Sequence, residues 1–494
     1  MPYYGTIFAM KSLPDFPAWC GRIRALGQYF LILVANLFLG AIVLFVSHPS
    51  LNAGEQPNIV LIFCDDLGYG DLGSYGHPTI RTPNLDRMAG EGMRLTDFYS
   101  AASVCTPSRA ALMTGRYPLR SGMCSDRRRV LFPDSLGGLP ESEWTMAEAL
   151  KSQGYATAAV GKWHLGHRPQ FLPTKHGFDS YYGIPYSNDM DRLSHSPGGS
   201  SKSLGPQVGW WNVPLLRNEK VVERPVDQTT ITRRYTRQAA KFIESNREKP
   251  FFLYLAHSMP HVPLFRSPQF EDHSLRGLYG DVIEEIDWSV GQLLNTLAEN
   301  GLDENTLVFF TSDNGPWLTQ GPAGGTAGLL REGKGSTWEG GMREPAIAWW
   351  PGKIKEGSVS SELASTLDLF PTFLNLAGGS PLKDLEIDGH DMASLLFDNG
   401  PSARHHFGYY RGEQLFALRM GAYKAHFSTK SAYGRDPVVT HERPLIFNLL
   451  HDPSERFDLG GSRAELVKAF ENLRVHYLNE VDAAPTQLES RAKN

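Results

Sequence analysis

Residues Asn58-Ile59-Val60-Leu61-Ile62-Phe63-Cys64 form an apolar run that ends abruptly in two carboxylates, Asp65 and Asp66. Nothing in the run alternates between apolar and polar, so a strand there has no wet face and must be covered on both sides. That is the pattern of a parallel sheet held between layers of helix. It recurs along the chain. Residues 93–100, 155–164 and 251–257 read as further strands, and Leu307-Val308-Phe309-Phe310 runs into Ser312-Asp313-Asn314-Gly315. Between the strands, Val282, Ile286, Val290, Leu293 and Leu297 recur at helical spacing and predict an amphipathic helix over 281–300. Thr82-Pro83, with Gly92 beyond, predicts a helix capped by Thr82. Strand and helix in alternation specify an α/β core with a mostly parallel central sheet flanked by helices.

In such sheets ligands bind beyond the carboxyl ends of the strands. Asp65, Asp66, His164, His257, Asp313 and Asn314 all fall at predicted strand ends. After about residue 400 the texture changes to short strands separated by turns, at 414–420, 423–427 and 445–449. A helix follows, whose Leu466, Phe470, Leu473 and Tyr477 share one face and whose Ser462 and Glu465 fit a capping box. The expected organisation is a catalytic α/β unit over 56–400 and a smaller C-terminal unit, an antiparallel sheet plus helix, over 401–494. Residues 187–203 read as a long polar surface loop, and the Gly-rich stretch 318–336 as a loop beside the strand-end residues.

The first 53 residues stand apart. An uncharged apolar stretch, residues 29–47, follows Lys11, Arg22 and Arg24 and precedes polar residues. This is the layout of a secretory signal peptide or, given its length, of a retained signal-anchor. Either one exports the body of the chain, to the periplasm, a lumen or the exterior. Lys and Arg total 48 against 53 Asp and Glu, a net charge of −5, which gives no basic excess for nucleic acid. Four cysteines in 494 residues exclude a disulfide-stapled scaffold. Cys64 is expected as a buried thiol, a pairing with Cys124 stays open, and Cys20 lies ahead of the apolar stretch.

The sharpest local pattern is Ser103-Val104-Cys105-Thr106-Pro107-Ser108-Arg109-Ala110-Ala111-Leu112-Met113-Thr114-Gly115-Arg116. Thr106 and Pro107 suit a helix start, which sets Cys105 just before it, where free amides and the helix dipole favour an anion. Arg109 lies one turn on. Taken alone, this is a low-pKa cysteine or a capped turn. The full pattern resembles the signature of the sulfatase family, formylglycine-dependent and alkaline-phosphatase-like in fold. With Gly161-Lys162-Trp163-His164-Leu165-Gly166, Gly-Ile-Pro-Tyr-Ser ending at Ser187, and Tyr423-Lys424-Ala425-His426-Phe427, it is most similar to the arylsulfatase A (cerebroside-sulfatase) branch.

The resemblance implies a hydrolase of sulfate monoesters on an aryl, glycolipid or carbohydrate alcohol. Cys105 would be oxidised to formylglycine by a formylglycine-generating enzyme. Asp65, Asp66, Asp313 and Asn314, with position 105, would hold Ca²⁺ or Mg²⁺, as suits a set of hard oxygen donors. Lys162, Lys334 and Arg109 would face the sulfate, Ser187 would contact it, His164 would serve the nucleophile, and His261 would be the general acid. Lys162 and His164, two apart on a predicted strand, would share a face. His257 reads as structural. A phosphate or phosphonate monoester hydrolase of the same superfamily, and a non-catalytic sulfate-binding protein, are the alternatives. Oligomeric state is not encoded in any motif found.

Overall fold

A computed structural model describes residues 56–194 and 205–492, which belong to one compact unit beginning at Gln56. The apolar stretch 29–47, Cys20 and most of the second half of the 187–203 segment lie outside the described residues. No helix among the described residues is long and apolar enough to cross a membrane.

Eleven strands build the main sheet: β1 (Asn58–Cys64), β2 (Met93–Tyr99), β3 (Ala156–Gly161), β4 (Ser180–Gly183), β5 (Leu215–Arg217), β6 (Lys220–Glu223), β7 (Phe251–Ala256), β8 (Thr306–Ser312), β9 (Arg343–Trp349), β10 (Ser358–Ser360) and β11 (Ala364–Ser365). Their order is β10-β2-β9-β8-β1-β7-β3-β4-β5-β6, with β11 also on β2. The centre, β8-β1-β7-β3-β4, is parallel. β9 runs antiparallel to both β8 and β2. The expected α/β architecture is what forms.

Every residue of β1, β7 and β8 is buried. Ile59, Leu61 and Phe63 enter one core, and Val60, Ile62 and Cys64 the other. The unbroken apolar run is therefore the consequence of two packed faces. On the second face, the helix Leu278–Glu299 buries Val282, Ile286, Val290, Leu293 and Leu297. It also buries Asp287, whose carboxylate accepts from Asn84 N (3.0 Å) and Leu85 N (2.8 Å). Those are the free amides at the start of the helix Pro83–Glu91. Thr82 precedes that helix as expected but does not cap it: its hydroxyl is engaged with Gly73 N and Asp86. A tertiary carboxylate has taken the local cap's place.

A second sheet, β12 (His406–Arg411), β13 (Gln414–Met420), β14 (Tyr423–Thr429) and β15 (Val439–Asn448), is antiparallel and packs with the helix Ala464–Glu480. β12 was not legible in the sequence. Phe470 and Tyr477 are buried, and Leu466 and Leu473 pack beside them in a core that also holds Tyr99, Tyr117 and Met342. The capping box does not form. Arg463 occupies the cap position, with no side-chain cap bond.

Candidate active site

Four adjacent parallel strands, β8, β1, β7 and β3, deliver their carboxyl ends to one place. β1 ends into Asp65-Asp66, β8 into Asp313-Asn314, β3 into Lys162, and β7 into the segment that reaches His261. The helix Cys105–Thr114, which follows β2, brings Cys105, and the loop before β9 brings Lys334. Candidate ligand atoms of Asp65, Asp66, Cys105 and His261 lie within 4.8 Å of one another. Asp313 and Asn314 are bonded to this group: Asp313 Oδ1 accepts from Asp66 N (3.1 Å), and Asn314 Nδ2 donates to Asp66 Oδ1 (2.7 Å).

All these groups are buried, and their charges are paired. Lys162 Nζ donates to Asp65 Oδ2 (2.5 Å) and Ser187 Oγ (3.2 Å). Lys334 Nζ donates to Asp66 Oδ2 (2.8 Å) and lies 4.4 Å from the centre of the Trp317 ring. Arg109 Nε and Nη2 donate to Asp313 Oδ2 (3.0 and 2.8 Å), and Arg109 Nη1 reaches Lys162 O (3.1 Å). Arg109 thus sits under the cluster and orients Asp313. Burial opposes ionisation of Asp65, but Lys162, His261 and Arg109 outweigh it and hold its carboxyl well below the usual range. Burial, then the charge of Asp65, pushes Asp313 up to about 7 against the pull of Arg109.

Cys105 is the first residue of its helix, and Val104 holds the cap position. Thr106 does not cap. Its hydroxyl donates to His164 O (3.1 Å) and accepts from Leu131 N (3.1 Å), fastening the His164 backbone to the helix start. The Cys105 thiol donates to Asp65 Oδ1 (3.4 Å), and burial together with that carboxylate raises its pKa. The helix terminus does not produce a low-pKa thiolate here.

Lys162 and His164 do not share a strand face. β3 stops at Gly161, whose φ is +117° and where a Cβ would meet Ala256 O at 1.8 Å. The chain then turns, and His164 takes a left-handed φ of +60°. Lys162 goes to Asp65, while His164 Nε2 donates to Leu131 O (2.9 Å). His164 Nδ1 is buried without a partner, and burial followed by the charge of Lys162 keeps the ring's pKa well below its usual value. Asp66 is also left-handed, at φ +65°. Non-glycine residues in that region carry strain of about 1–3 kcal/mol and cluster at functional sites.

His261 Nδ1 donates to Val262 O (2.5 Å), which leaves Nε2 toward Ser187 Oγ (3.5 Å) and Asp66 Oδ2 (3.6 Å). Ser187 and Asn188 are buried, so the start of the 187–203 segment is part of the site and not a surface loop. His257 is apart, with Nε2 near Ser289 Oγ (3.4 Å) and a pKa lowered to about 4 by burial. Cys64 and Cys124 are both buried free thiols, so no disulfide joins them here.

Sequence reasoning missed three neighbours. Glu344 is buried near Asp313, and burial with the charges of Asp313 and Asp66 raises its pKa strongly. A carboxylate inside the fully buried strand β9 was its available signal. Trp317 stacks near His261 (5.3 Å) and Tyr433 (5.1 Å), and Tyr433 comes from a turn of the C-terminal sheet that carries no distinguishing pattern. That sheet also clamps the segment bearing Lys334: Lys424 Nζ donates to Thr337 O (2.8 Å) and to Glu339 Oε1 (2.9 Å).

The donor set fits a hard divalent cation. Asp65, Asp66 and Asp313 supply carboxylate oxygens, and Asn314 Oδ1 is a buried acceptor with no hydrogen-bond partner.

Comparison with known proteins places the chain in a family. The family model described as Sulfatase matches residues 57–380, and the model for the C-terminal region of aryl-sulfatase matches 402–494. The chain is 44% identical to arylsulfatase A of Bos taurus over 469 residues, covering 89% of this chain and 91% of that protein. It is 45% identical to N-acetylgalactosamine-6-sulfatase of Mus musculus over 434 residues, covering 82% of each. The crystal structure of PsFucS1 sulfatase from Pseudoalteromonas sp. superposes with a TM-score of 0.76 at 32% identity, covering 89% of this chain and 92% of that one.

Proposed function

The chain belongs to the sulfatase family and hydrolyses sulfate esters, and on that premise we propose that it does so at the cluster around Cys105, with Ca²⁺ or Mg²⁺ as cofactor. The observation that carries this is the convergence of Asp65, Asp66, Cys105 and His261 within 4.8 Å, flanked by two buried lysines.

Asp65, Asp66, Asp313 and Asn314, with position 105, would hold the cation, which when bound supplies positive charge to a sulfate oxygen and to the nucleophile. Cys105, once oxidised to formylglycine by a formylglycine-generating enzyme and hydrated by water, would supply a geminal diol: one hydroxyl would attack sulfur as the S–O bond to the alcohol breaks, and loss of the proton from the other would expel sulfate and restore the aldehyde. Lys162 and Lys334 bring ammonium groups that bind the sulfate oxygens and stabilise charge developing there. Ser187 orients Lys162 through its 3.2 Å bond. Arg109 is a positioning residue, since its donors hold Asp313 and the Lys162 carbonyl. His164 Nδ1, unpartnered on a ring held neutral by burial, is suited to accept a proton from position 105. His261 has Nδ1–H fixed on Val262 O, so Nε2 is the end that gives a proton to the leaving alcohol.

The substrate class is a sulfate monoester of an aryl, glycolipid or carbohydrate alcohol. The catalytic machinery lies in residues 56–400, and 401–494 forms the smaller unit that braces the Lys334 segment. Residues 1–53 direct export, either as a cleaved signal or as a retained anchor.

The test is turnover of a sulfate ester beside the matching phosphate ester, with intact-mass analysis of the Cys105 peptide. Conversion to the aldehyde lowers the peptide mass by about 18 Da, and activity should scale with that fraction and fall on chelation. Full activity from protein carrying only the thiol, or after exhaustive chelation, would refute the proposal.

A further inference from the structure

Arginine is costly to bury without a counter-charge, and the most deeply buried arginines near the site are paired. Arg109 meets Asp313, Arg404 meets Asp368, and Arg343 and Arg419 meet Asp97. Arg129 and Arg411 differ in lying side by side next to the site. Both are half-buried, and neither has an ion-pair partner among the described residues. Their guanidinium groups instead converge on one carbonyl: Arg129 Nη2 and Arg411 Nη2 donate to Ala432 O at 3.0 and 3.1 Å. Arg411 also donates to Gly335 O. Arg129 Nη1 is buried with no hydrogen-bond partner. Burial, and then the charge of Arg129, lowers the pKa of Arg411 to about 10 against the opposing pull of Tyr433 and Asp436.

The two arginines line a crevice with Ser103, Val104, Gly335 and Tyr410. The Tyr410 hydroxyl is a second buried polar atom without a partner. Ser103 and Val104 lead directly into Cys105, and Gly335 follows Lys334. The two walls are joined by Gly335 N donating to Ser103 O (2.7 Å). The crevice is tied to the candidate active site by a second route: Arg129 lies over the Tyr433 ring at 4.4 Å, Tyr433 stacks near Trp317, and Trp317 carries Lys334. Space for the centre of a water-sized sphere is ≈ 30 Å³, against about 10–15 Å³ for one water. That is room for about two or three waters, so a small group and not a sugar ring reaches between the arginines.

We propose that Arg129 and Arg411 form a second anion subsite beside the scissile sulfate, selecting sulfated sugars that carry a further anionic group. Arginine forks match carboxylate and sulfate oxygens alike, so the shared chemistry is a planar or tetrahedral oxyanion. The proposal rests on the sulfatase reading above and deepens it from sulfate esters at large to polyanionic glycans.

The test uses protein with verified formylglycine and four substrates: 4-nitrophenyl sulfate, N-acetylgalactosamine 6-sulfate, the same sugar joined to a uronic acid, and its 4,6-disulfate. At least one two-anion sugar should exceed the monosulfated sugar in kcat/KM by about tenfold or more, mainly through KM. The substrate that gains tells a carboxylate from a second sulfate. In Arg129→Gln the ratio of two-anion to one-anion kcat/KM should fall toward one. Arg411→Lys, which keeps a charge near Gly335, should retain part of it, and it provides a folded variant if Arg411→Gln does not fold. A ratio near one in the wild type, or an undiminished ratio in Arg129→Gln, overturns the subsite. Absence of turnover of all four sulfate esters by wild type rejects the sulfatase reading instead. The subsite is then read without turnover, by calorimetric titration of the Cys105→Ala chain with the same sugars, where equal affinity for one- and two-anion forms overturns it.

Discussion

Replacing Arg109 with Met removes the direct ion-pair partner of Asp313. Arg109 is fully buried, and two of its nitrogens donate to Asp313 Oδ2 at 3.0 and 2.8 Å. Methionine fills much of the same volume but leaves a buried carboxylate without its partner. Breaking a buried pair in this way costs about 3–5 kcal/mol. Unfolding entropy near 2.1 cal/mol/K per residue gives roughly 0.9 kcal/mol/K for a folded body of about 440 residues, so the expected fall in Tm is about 3–5 °C. Differential scanning calorimetry in the presence of chelator isolates this from cation binding. The double variant Arg109→Met/Asp313→Asn removes both charges and should recover at least half of the loss, while sulfate-ester turnover stays abolished. A single variant within about 0.5 °C of wild type, or a double variant no more stable than the single, would show that Arg109 and Asp313 do not depend on each other as the geometry requires.

Three further outcomes follow from particular contacts. His261→Gln should lower kcat by about 10²–10⁴ for sugar sulfates but far less for 4-nitrophenyl sulfate, whose alcohol leaves without a proton; equal losses on both substrates would remove His261 as the acid. Asp71, whose carboxylate accepts from Gly68 N, Thr326 N and Tyr279 OH, has its pKa raised to about 7 by burial, with those bonds opposing. The native state then binds the extra proton between about pH 4 and 7, so this group's contribution to stability is full below pH 4 and is lost as pH rises to 7. Asp71→Asn should flatten that slope in denaturation profiles measured from pH 4 to 8, and an unchanged slope would refute the assignment. Asp287→Ala uncaps the helix Pro83–Glu91 and should cost about 1–2 kcal/mol in denaturant unfolding, whereas Thr82→Val should leave that helix's amide-exchange protection at Asn84 and Leu85 intact.

Much of the chemistry was readable before any fold was known. Asp65, Asp66, Lys162, Asp313 and Asn314 stand at the ends of apolar runs, and a parallel sheet can only bring such ends to a common edge. Cys105 and Arg109 sit one helical turn apart in a pattern long enough to specify a family. The local details were less legible. Thr106, Thr82 and Ser462 each satisfy the composition rule for a cap, and none caps, because each hydroxyl is engaged elsewhere: Thr106 with His164 O and Leu131 N, Thr82 with Gly73 N and Asp86, Ser462 with Leu459 O. A spacing of two puts Lys162 and His164 on one face only if the strand continues, and a left-handed turn after Gly161 separates them.

The sequence by itself determined the sheet, its buried faces and the residues at its carboxyl edge, because burial on two sides leaves a mark at every position of a strand. The tertiary structure alone decided the pairings within the site. Which lysine meets which aspartate, that Arg109 serves Asp313 from below, that Ser187 is buried, and that Arg129 and Arg411 converge with no carboxylate between them all depend on strand order and on loops separated by hundreds of residues. Coulombic pairing in a buried site falls off over a few ångströms, and no spacing along the chain records a distance of that kind.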